Sequence, residues 1–256
     1  MPLDYARRLT APERSRQGNV HLGAGLAFVA GATNAGAFLA VGQYTSHMTG
    51  LVSEMADAVV LRRWPVAATA LGGVLAFIAG AASTAILVNF AQRRRLRSAF
   101  AQPLLLESAL LLAFGFLGAR LSQVHGFYTS VTVLLLCYMM GLQNAVITKI
   151  SRAEIRTTHV TGLITDLGIE LGKLVYFNRT RADAIAPVAA DRERLAVLAA
   201  LLLAFFAGGL VGALGFTNIG YLTTVPLSGV LLLLAVIPAL DDLRGAPRGP
   251  HPPGTV

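Results

Sequence analysis

Six long apolar stretches constrain this chain more than any other feature of its sequence. They cover residues 22–42, 65–90, 103–121, 126–149, 195–214 and 219–240, and each could cross about 30 Å of hydrocarbon as a helix. Backbone groups in lipid need internal hydrogen-bond partners, and the alternating pattern of barrel strands is missing, so the stretches predict transmembrane α-helices. Charged residues make up only 13% of the chain, against about 25% in soluble domains, which also indicates an integral membrane protein.

The distribution of basic residues predicts how the helices are oriented. If the chain crosses six times, 18 Lys and Arg residues fall on the side of the N-terminus and 3 on the other side. Positive charge is retained on the cytoplasmic side, so both termini are expected in the cytoplasm. The net charge of +8 is therefore attributed to topology and to contact with lipid headgroups, and no nucleic-acid partner is expected. The polar residues 1–20 are not typical of a signal peptide.

A short motif occurs twice in the chain. Residues 45–50 read Thr-Ser-His-Met-Thr-Gly and residues 157–162 read Thr-Thr-His-Val-Thr-Gly. Asn34 precedes the first motif as Asn144 precedes the second, 110 residues later, and the two histidines lie 112 residues apart. Three predicted spans belong to each copy. Because an odd number of crossings makes the second copy enter from the opposite face, the repeat is predicted to be inverted, as in many secondary transporters.

These patterns predict an all-α membrane protein of six transmembrane helices, arranged as two inverted three-helix repeats. The expected organisation is a cytoplasmic tail over residues 1–20, a first repeat over 21–122, a second repeat over 123–241 and a disordered tail over 242–256. Two shorter segments, 49–61 and 162–177, follow the motifs. They are expected to form short helices that either lie in the membrane interface or re-enter the protein, where neighbouring segments satisfy their backbone groups.

Polar residues around the two motifs form the candidate substrate or coupling site. His47 and Glu54 are seven residues apart, as are His159 and Asp166, so on one helix each pair shares a face at a separation of about 10.5 Å. A histidine and an acid suit a proton-coupled step. The full set comprises Asn34, Ser46, His47, Thr49, Gly50, Glu54, Gln143, Asn144, Thr158, His159, Thr161, Gly162 and Asp166.

Each of these residues also has a structural interpretation. The histidines could be solvated at the headgroup level, and the amides Asn34, Gln143 and Asn144 could bond neighbouring helices. The threonine hydroxyls could cap the short helices or, together with the free N–H groups, hold an anion. Glu107, after Pro103 in the third stretch, is interpreted as an acid favoured by a helix dipole.

No enzyme signature is present, so neither catalysis nor a cofactor is predicted. Zinc-protease, nucleophile-elbow, P-loop and dinucleotide motifs are missing. Cys137 is the single cysteine and lies in an apolar run, which excludes an intramolecular disulfide and a cysteine metal site.

The motifs resemble those of the YoaK family of bacterial inner-membrane proteins, which carry a domain of unknown function. The resemblance spans about residues 20–240 and is most specific where the residues at 141–145 read Gly-Leu-Gln-Asn-Ala and those at 157–168 read Thr-Thr-His-Val-Thr-Gly-Leu-Ile-Thr-Asp-Leu-Gly. Family members usually carry an acid where Asn34 stands and often Asn where Leu51 stands. The resemblance implies a bacterial cytoplasmic-membrane protein of about six helices, without an established substrate.

The leading functional hypothesis is a small secondary carrier or channel for an unidentified solute or ion. The alternative is a non-transporting scaffold or sensor that binds a lipid or a protein, and a membrane-embedded enzyme is the third reading. The lipid bilayer is the expected partner in all three, and a homo-oligomer is compatible with each of them.

Overall fold

The architecture is entirely helical in a computed structural model that describes residues 16–94, 96, 99–121, 127–150, 160–176 and 188–243. Its α-helices are α1 (Arg16–Val41), α2 (Met48–Val60), α3 (Trp64–Arg93), α4 (Ala101–Leu121), α5 (Phe127–Ile150), α6 (Val160–Val175), α7 (Arg192–Asn218) and α8 (Thr224–Leu243). The 3₁₀ helix Gly220–Thr223 joins α7 to α8. The two short helices expected after the motifs correspond to α2 and α6.

Five helices, α1, α3, α4, α5 and α7, are long and apolar enough to cross a membrane. The chain is therefore a multi-pass integral membrane protein. The sixth predicted span, 219–240, coincides with the 3₁₀ helix and α8, where the apolar stretch Gly220–Val236 is shorter than the other five. Six crossings are thus not established by helix length alone.

Local signals in the sequence set several helix ends. Helix α1 ends just before Gly42, whose φ of +70° suits glycine and whose N–H donates to the carbonyl of Phe38 at 2.8 Å. Pro65 occupies the first turn of α3, where its missing N–H costs nothing. Asp191 caps α7, its side chain accepting the N–H of Arg194 at 3.0 Å. These ends determine where the polar connections leave the bundle.

Glycines bring two pairs of helices into backbone contact. In the α1–α7 pair, a Cβ added to Gly31 would lie 2.0 Å from the carbonyl oxygen of Phe205, and one added to Gly208 would lie 2.0 Å from that of Phe28. The α3–α5 pair is built in the same way. There the corresponding distances are 1.9 Å from Gly80 to the carbonyl oxygen of Tyr138 and 2.0 Å from Gly141 to that of Phe77. Small residues that allow such close approach are the usual means of helix association in lipid.

A reciprocal pair of serines joins α4 to α8. The hydroxyl of Ser108 donates to the carbonyl of Ser228, the hydroxyl of Ser228 donates to the carbonyl of Ser108, both at 3.1 Å, and the two hydroxyl oxygens are 2.7 Å apart. Both side chains are buried. Because hydrocarbon offers no other hydrogen-bond partner, this exchange fixes the register of the two helices.

The contacts also give the direction of each long helix. Helices α1 and α7 are parallel, because Phe28 meets Gly208 and Ala32 meets Gly212. Helices α3 and α5 are parallel as well, because Gly73 lies beside Cys137 whereas Asn89 bonds Lys149. In contrast, α4 and α8 are antiparallel, because Ser108 meets Ser228 but Gly115 meets Thr224.

Short connections between α4 and α5 and between α7 and α8 make those neighbours antiparallel. Helices α1, α3, α4, α5, α7 and α8 consequently alternate in direction along the chain. We call the end of the bundle where α1 begins the N-terminal end. Helix α6 then lies at the N-terminal end and α2 at the opposite end.

Replacing Gly31 by alanine is expected to destabilise the protein by about 3 kcal/mol, the upper end of ordinary overpacking, because the added methyl meets backbone that cannot rotate away. Gly25→Ala is the matched control in the same helix, since nothing lies within 4 Å of its added Cβ. That variant should be neutral or more stable by about 0.5–1 kcal/mol. Thermal unfolding of the purified proteins in detergent measures both, and equal melting temperatures would contradict the packing described for α1 and α7.

Candidate functional site

The first motif and the amide of α1 are in direct contact. Ser46, in the connection between α1 and α2, donates from its hydroxyl to Oδ1 of Asn34 at 2.9 Å. The neighbouring Thr45 is 1% exposed, and its hydroxyl oxygen has no hydrogen-bond partner among the described residues. The predicted site residues Asn34 and Ser46 are thus in contact. Thr45, next to Ser46 in the chain, has a hydroxyl with unused hydrogen-bonding capacity.

His47 caps α2 by position without a side-chain hydrogen bond. Its side chain is exposed, and a Cβ on Gly50 would lie 2.6 Å from its Nδ1. A larger residue at position 50 would therefore displace the exposed imidazole from its present position. The interpretation that Thr49 caps this helix is wrong, because Thr49 lies inside the first turn and is exposed.

Glu54 lines an open groove between α2 and the start of α3. The groove has a volume of about 430 Å³ and is lined by Gly50, Ser53, Glu54, Asp57, Ala58, Leu61, Arg63 and Val66. We call it the α2–α3 groove. It lies at the end of the bundle opposite the N-terminal end, beside the first motif, and it has two acids and one base on its walls.

The amides of the second copy lie at a different level of the bundle. Gln143 is fully buried, and its Nε2 donates to the carbonyl of Leu26 at 3.3 Å, whereas its Oε1 has no partner in the described part of the chain. Asn144 is half-buried. Leu26 precedes Asn34 by eight residues on α1, which separates them by about 12 Å along the helix. The described polar residues of the two copies are therefore not brought to one point.

Two predicted site residues of the second motif, Thr158 and His159, lie outside the described residues. The structure places the two that follow them. Thr161 is exposed at the start of α6, and its carbonyl accepts the hydroxyl of Thr165 at 2.8 Å. Gly162 is half-buried one residue later.

Ion pairs attach α6 to the start of α7. Asp166 accepts a hydrogen bond from the guanidinium of Arg194 at 3.1 Å. Glu170 accepts one from Lys173 at 2.8 Å and one from the backbone N–H of Asp191 at 3.0 Å, and it lies 4.0 Å from Arg194. We call these five residues the α6–α7 ion cluster. Asp166 was expected to face a transport site, and in this conformation its partner is a cation of the protein itself.

Glu170 is the buried acid of this cluster, and the sequence analysis did not identify it, nor did it identify the other members apart from Asp166. Its side chain is only 2% exposed. The hydrogen bond from Lys173, followed by that from the Asp191 N–H, holds the pKa of Glu170 below its usual value. Its position four residues after Asp166 places both acids on one face of α6, which is the one sequence signal that could have identified it.

Glu107 was also interpreted wrongly. It is the seventh residue of α4, beyond the first turn where a helix dipole acts. The side chain is 2% exposed, and its Oε2 has no hydrogen-bond partner among the described residues. A buried acid within a membrane helix is a functional candidate by default. No group of three metal-ligating side chains is found in the described ranges.

The contribution of Glu170 to stability should depend on pH. Because its folded-state pKa is lowered, the stabilisation is present above the unfolded value of about 4.3 and is lost as pH falls towards the folded value. Glu170→Gln should therefore melt below wild type at pH 7, and the gap should narrow in acid below about pH 4.3. Glu54→Gln, which leaves the α6–α7 ion cluster intact, is the control. A gap that stays constant with pH would show that the carboxylate charge is not the stabilising group.

Comparison with known proteins places the chain in a family. A family model described as a protein of unknown function, DUF1275, matches residues 22–237, which is nearly the stretch over which the motifs resemble the YoaK family. No curated protein and no solved structure matches. The match covers most of the chain, from the first turns of α1 to the second half of α8, and the chain therefore belongs to the DUF1275 family of proteins of unknown function.

Proposed function

We propose that the chain is a six-span bundle of two inverted three-helix repeats that works as a small secondary carrier. The proposed location is the bacterial cytoplasmic membrane, with both termini in the cytoplasm. The alternating directions of α1, α3, α4, α5, α7 and α8 support six crossings. Arg93, Lys149, Arg192 and Arg194 at the N-terminal end, with Arg62 and Arg63 at the other, support the orientation by the positive-inside rule.

The glycine contacts support the inverted repeat. Gly31 touches Phe205 in the same manner as Gly141 touches Phe77, and Gly208 touches Phe28 as Gly80 touches Tyr138. In each case the first helix of one copy pairs with the second long helix of the other. The residue numbers of the corresponding positions differ by 110 between α1 and α5 and by 128 between α3 and α7. The reciprocal Ser108–Ser228 exchange is what two equivalent residues make when they meet on a two-fold axis.

The single observation that best supports a carrier is that two regions with similar motifs differ in their contacts. Leu51 of α2 and Leu163 of α6 are both buried beneath their short helices. Beyond them, the second copy is closed by the α6–α7 ion cluster, whereas the first copy leaves the α2–α3 groove open. Two halves that can exchange such states across an in-plane axis provide alternating access.

In this mechanism the two ends of the bundle open in turn. The polar group formed by Asn34, Thr45 and Ser46 lies beneath the open end. A solute enters through the α2–α3 groove and replaces hydrogen bonds that these side chains otherwise lack or make to one another. Release at the other end requires α6 to separate from α7, which breaks the pairs of Arg194 with Asp166 and Glu170.

Removal of the Arg194 side chain should open the N-terminal end. In a Cys137→Ala background, a cysteine replacing Leu163, which is 4% exposed, should be protected from a soluble thiol reagent. Adding Arg194→Ala should raise its labelling rate at least ten-fold, because α6 loses its charged attachment to α7. A cysteine replacing Leu51, beneath α2, is the control and should not respond. Unchanged labelling at position 163 would exclude the ion cluster as a gate.

Transport itself is tested in proteoliposomes with a panel of small solutes and ions. Asn34→Ala, His47→Ala, Asn144→Ala and His159→Ala should each lower flux at least ten-fold if both motifs contribute to the pathway. Thr69→Ala is the matched control, because its exposed hydroxyl bonds only to Pro65 in its own helix. Unchanged flux in all four variants would remove the proposed site. A stoichiometric lipid or protein that copurifies, with no flux for any solute, would favour the scaffold or sensor function instead.

A further inference from the structure

The α2–α3 groove is open and carries two acids, and no cation of the described residues forms an ion pair with either of them. Glu54 and Asp57 lie on its α2 wall, and Arg63 lies where α3 begins. The described residues contain no ion pair between any of these acids and Arg63, whereas the acids of the α6–α7 ion cluster are paired. The contrast matters because the two places occupy equivalent positions in the two copies.

The groove and the ion cluster correspond to each other through constant differences in residue number, as the glycine contacts do. A difference of 112 relates α2 to α6, as His47 relates to His159, and a difference of 128 relates the start of α3 to the start of α7. The resulting pairs are Gly50 with Gly162, Ser53 with Thr165, Glu54 with Asp166, Ala58 with Glu170, Leu61 with Lys173, Arg63 with Asp191 and Val66 with Arg194. All five residues of the ion cluster therefore have their counterparts on the walls of the groove.

The second copy shows which chemical group occupies this place. The guanidinium of Arg194 lies 3.1 Å from Asp166, and the ammonium of Lys173 lies 2.8 Å from Glu170. In the first copy Glu54 stands where Asp166 does, but Val66 stands where Arg194 would be, and Ala58 and Leu61 replace the Glu170–Lys173 pair with two uncharged residues. The first copy thus has an acceptor for a cation, Glu54, without the cation that pairs with its counterpart, and Glu54 faces the groove instead.

We propose that the α2–α3 groove binds a small zwitterion whose guanidinium or primary ammonium group meets Glu54 as Arg194 meets Asp166, and whose anionic group meets Arg63. This inference rests on the repeat correspondence used for the proposed function and names the substrate class of that site. Arg63 stands where the second copy has Asp191, so the reversed charge selects a ligand that carries both signs. A volume of about 430 Å³ falls within the usual range for small-molecule pockets, about 300–1,000 Å³.

The two charged groups of the ligand explain which compounds the groove would select. A planar guanidinium can donate two parallel hydrogen bonds to one carboxylate, and an ammonium can serve as a point charge in the same position. Asp57 supplies a second acid one turn after Glu54 on the same face of α2. Free amino acids with basic side chains have this chemistry, and so do lipid headgroups that combine an ammonium with a phosphate.

Calorimetric titration of the purified full chain in phosphatidylcholine nanodiscs tests the proposal, with L-arginine as the probe. We expect saturable binding to wild type and at least a ten-fold loss of affinity in Glu54→Gln. Val66→Arg supplies the missing cation from the protein itself and should abolish binding. Val60→Arg, which adds the same charge outside the groove at a side chain 80% exposed, should bind as wild type. Agmatine, which lacks the carboxylate, should bind more weakly than L-arginine, and Arg63→Ala should remove that difference.

No binding of L-arginine to wild type, or equal affinity in wild type and Glu54→Gln, overturns the proposal. Repeating the titration in nanodiscs with phosphatidylethanolamine distinguishes the two sources: loss of L-arginine binding there identifies a lipid headgroup as the occupant, and retained binding identifies a free solute. The measurement involves no flux. Binding without transport would therefore contradict the carrier function but support the zwitterion site in the groove. Transport without binding in the groove would support the carrier function and contradict the site.

Discussion

Close backbone approach through glycine is the interaction on which the rest of this bundle depends. In lipid no hydrophobic force drives helices together, so association relies on packing and on the few available hydrogen bonds. Gly31 and Gly208 join α1 to α7, and Gly80 and Gly141 join α3 to α5. Each pair takes one helix from each half of the chain, so neither half assembles its pairs alone. The arrangement ties the two halves together and fixes the heights at which the connecting segments leave the membrane helices.

Those heights determine what the two motifs can do. Because α2 follows α1 at one end of the bundle and α6 follows α5 at the other, the first motif lies beside an open groove and the second leads into a charged attachment. The difference arises from a few side chains. Arg194 and Lys173 pair with the acids of α6, whereas Val66 and Leu61 line the groove beside α2. A few side chains thus give the two regions different chemistry.

Several site residues were within reach of sequence reasoning because they are local to their motif. The contact of Asn34 with Ser46 spans only twelve residues, from α1 to the connection that follows it, and the acids Glu54 and Asp166 each lie seven residues after a histidine of the motif. The burial of Glu107 and the cation partner of Asp166 were not accessible in this way. The burial of Glu107 depends on which helices surround α4, and the partner of Asp166 is Arg194, 28 residues further on. Ion-pair partners at that distance are chosen by packing, and spacing gives no information about them.

The sequence by itself determined the membrane class and the long helices, because each apolar helix satisfies its own backbone and its composition is a local property. It could not determine which helices pair. Gly25 and Gly31 are both glycines of α1, yet Gly25 faces open space whereas Gly31 touches the backbone of α7. Only the tertiary structure decided that α1 packs on α7 and α3 on α5, and that α6 is ion-paired to α7 while a groove separates α2 from α3. The physical reason is that steric fit and ion pairing between distant segments depend on distances in space that the order of residues does not contain.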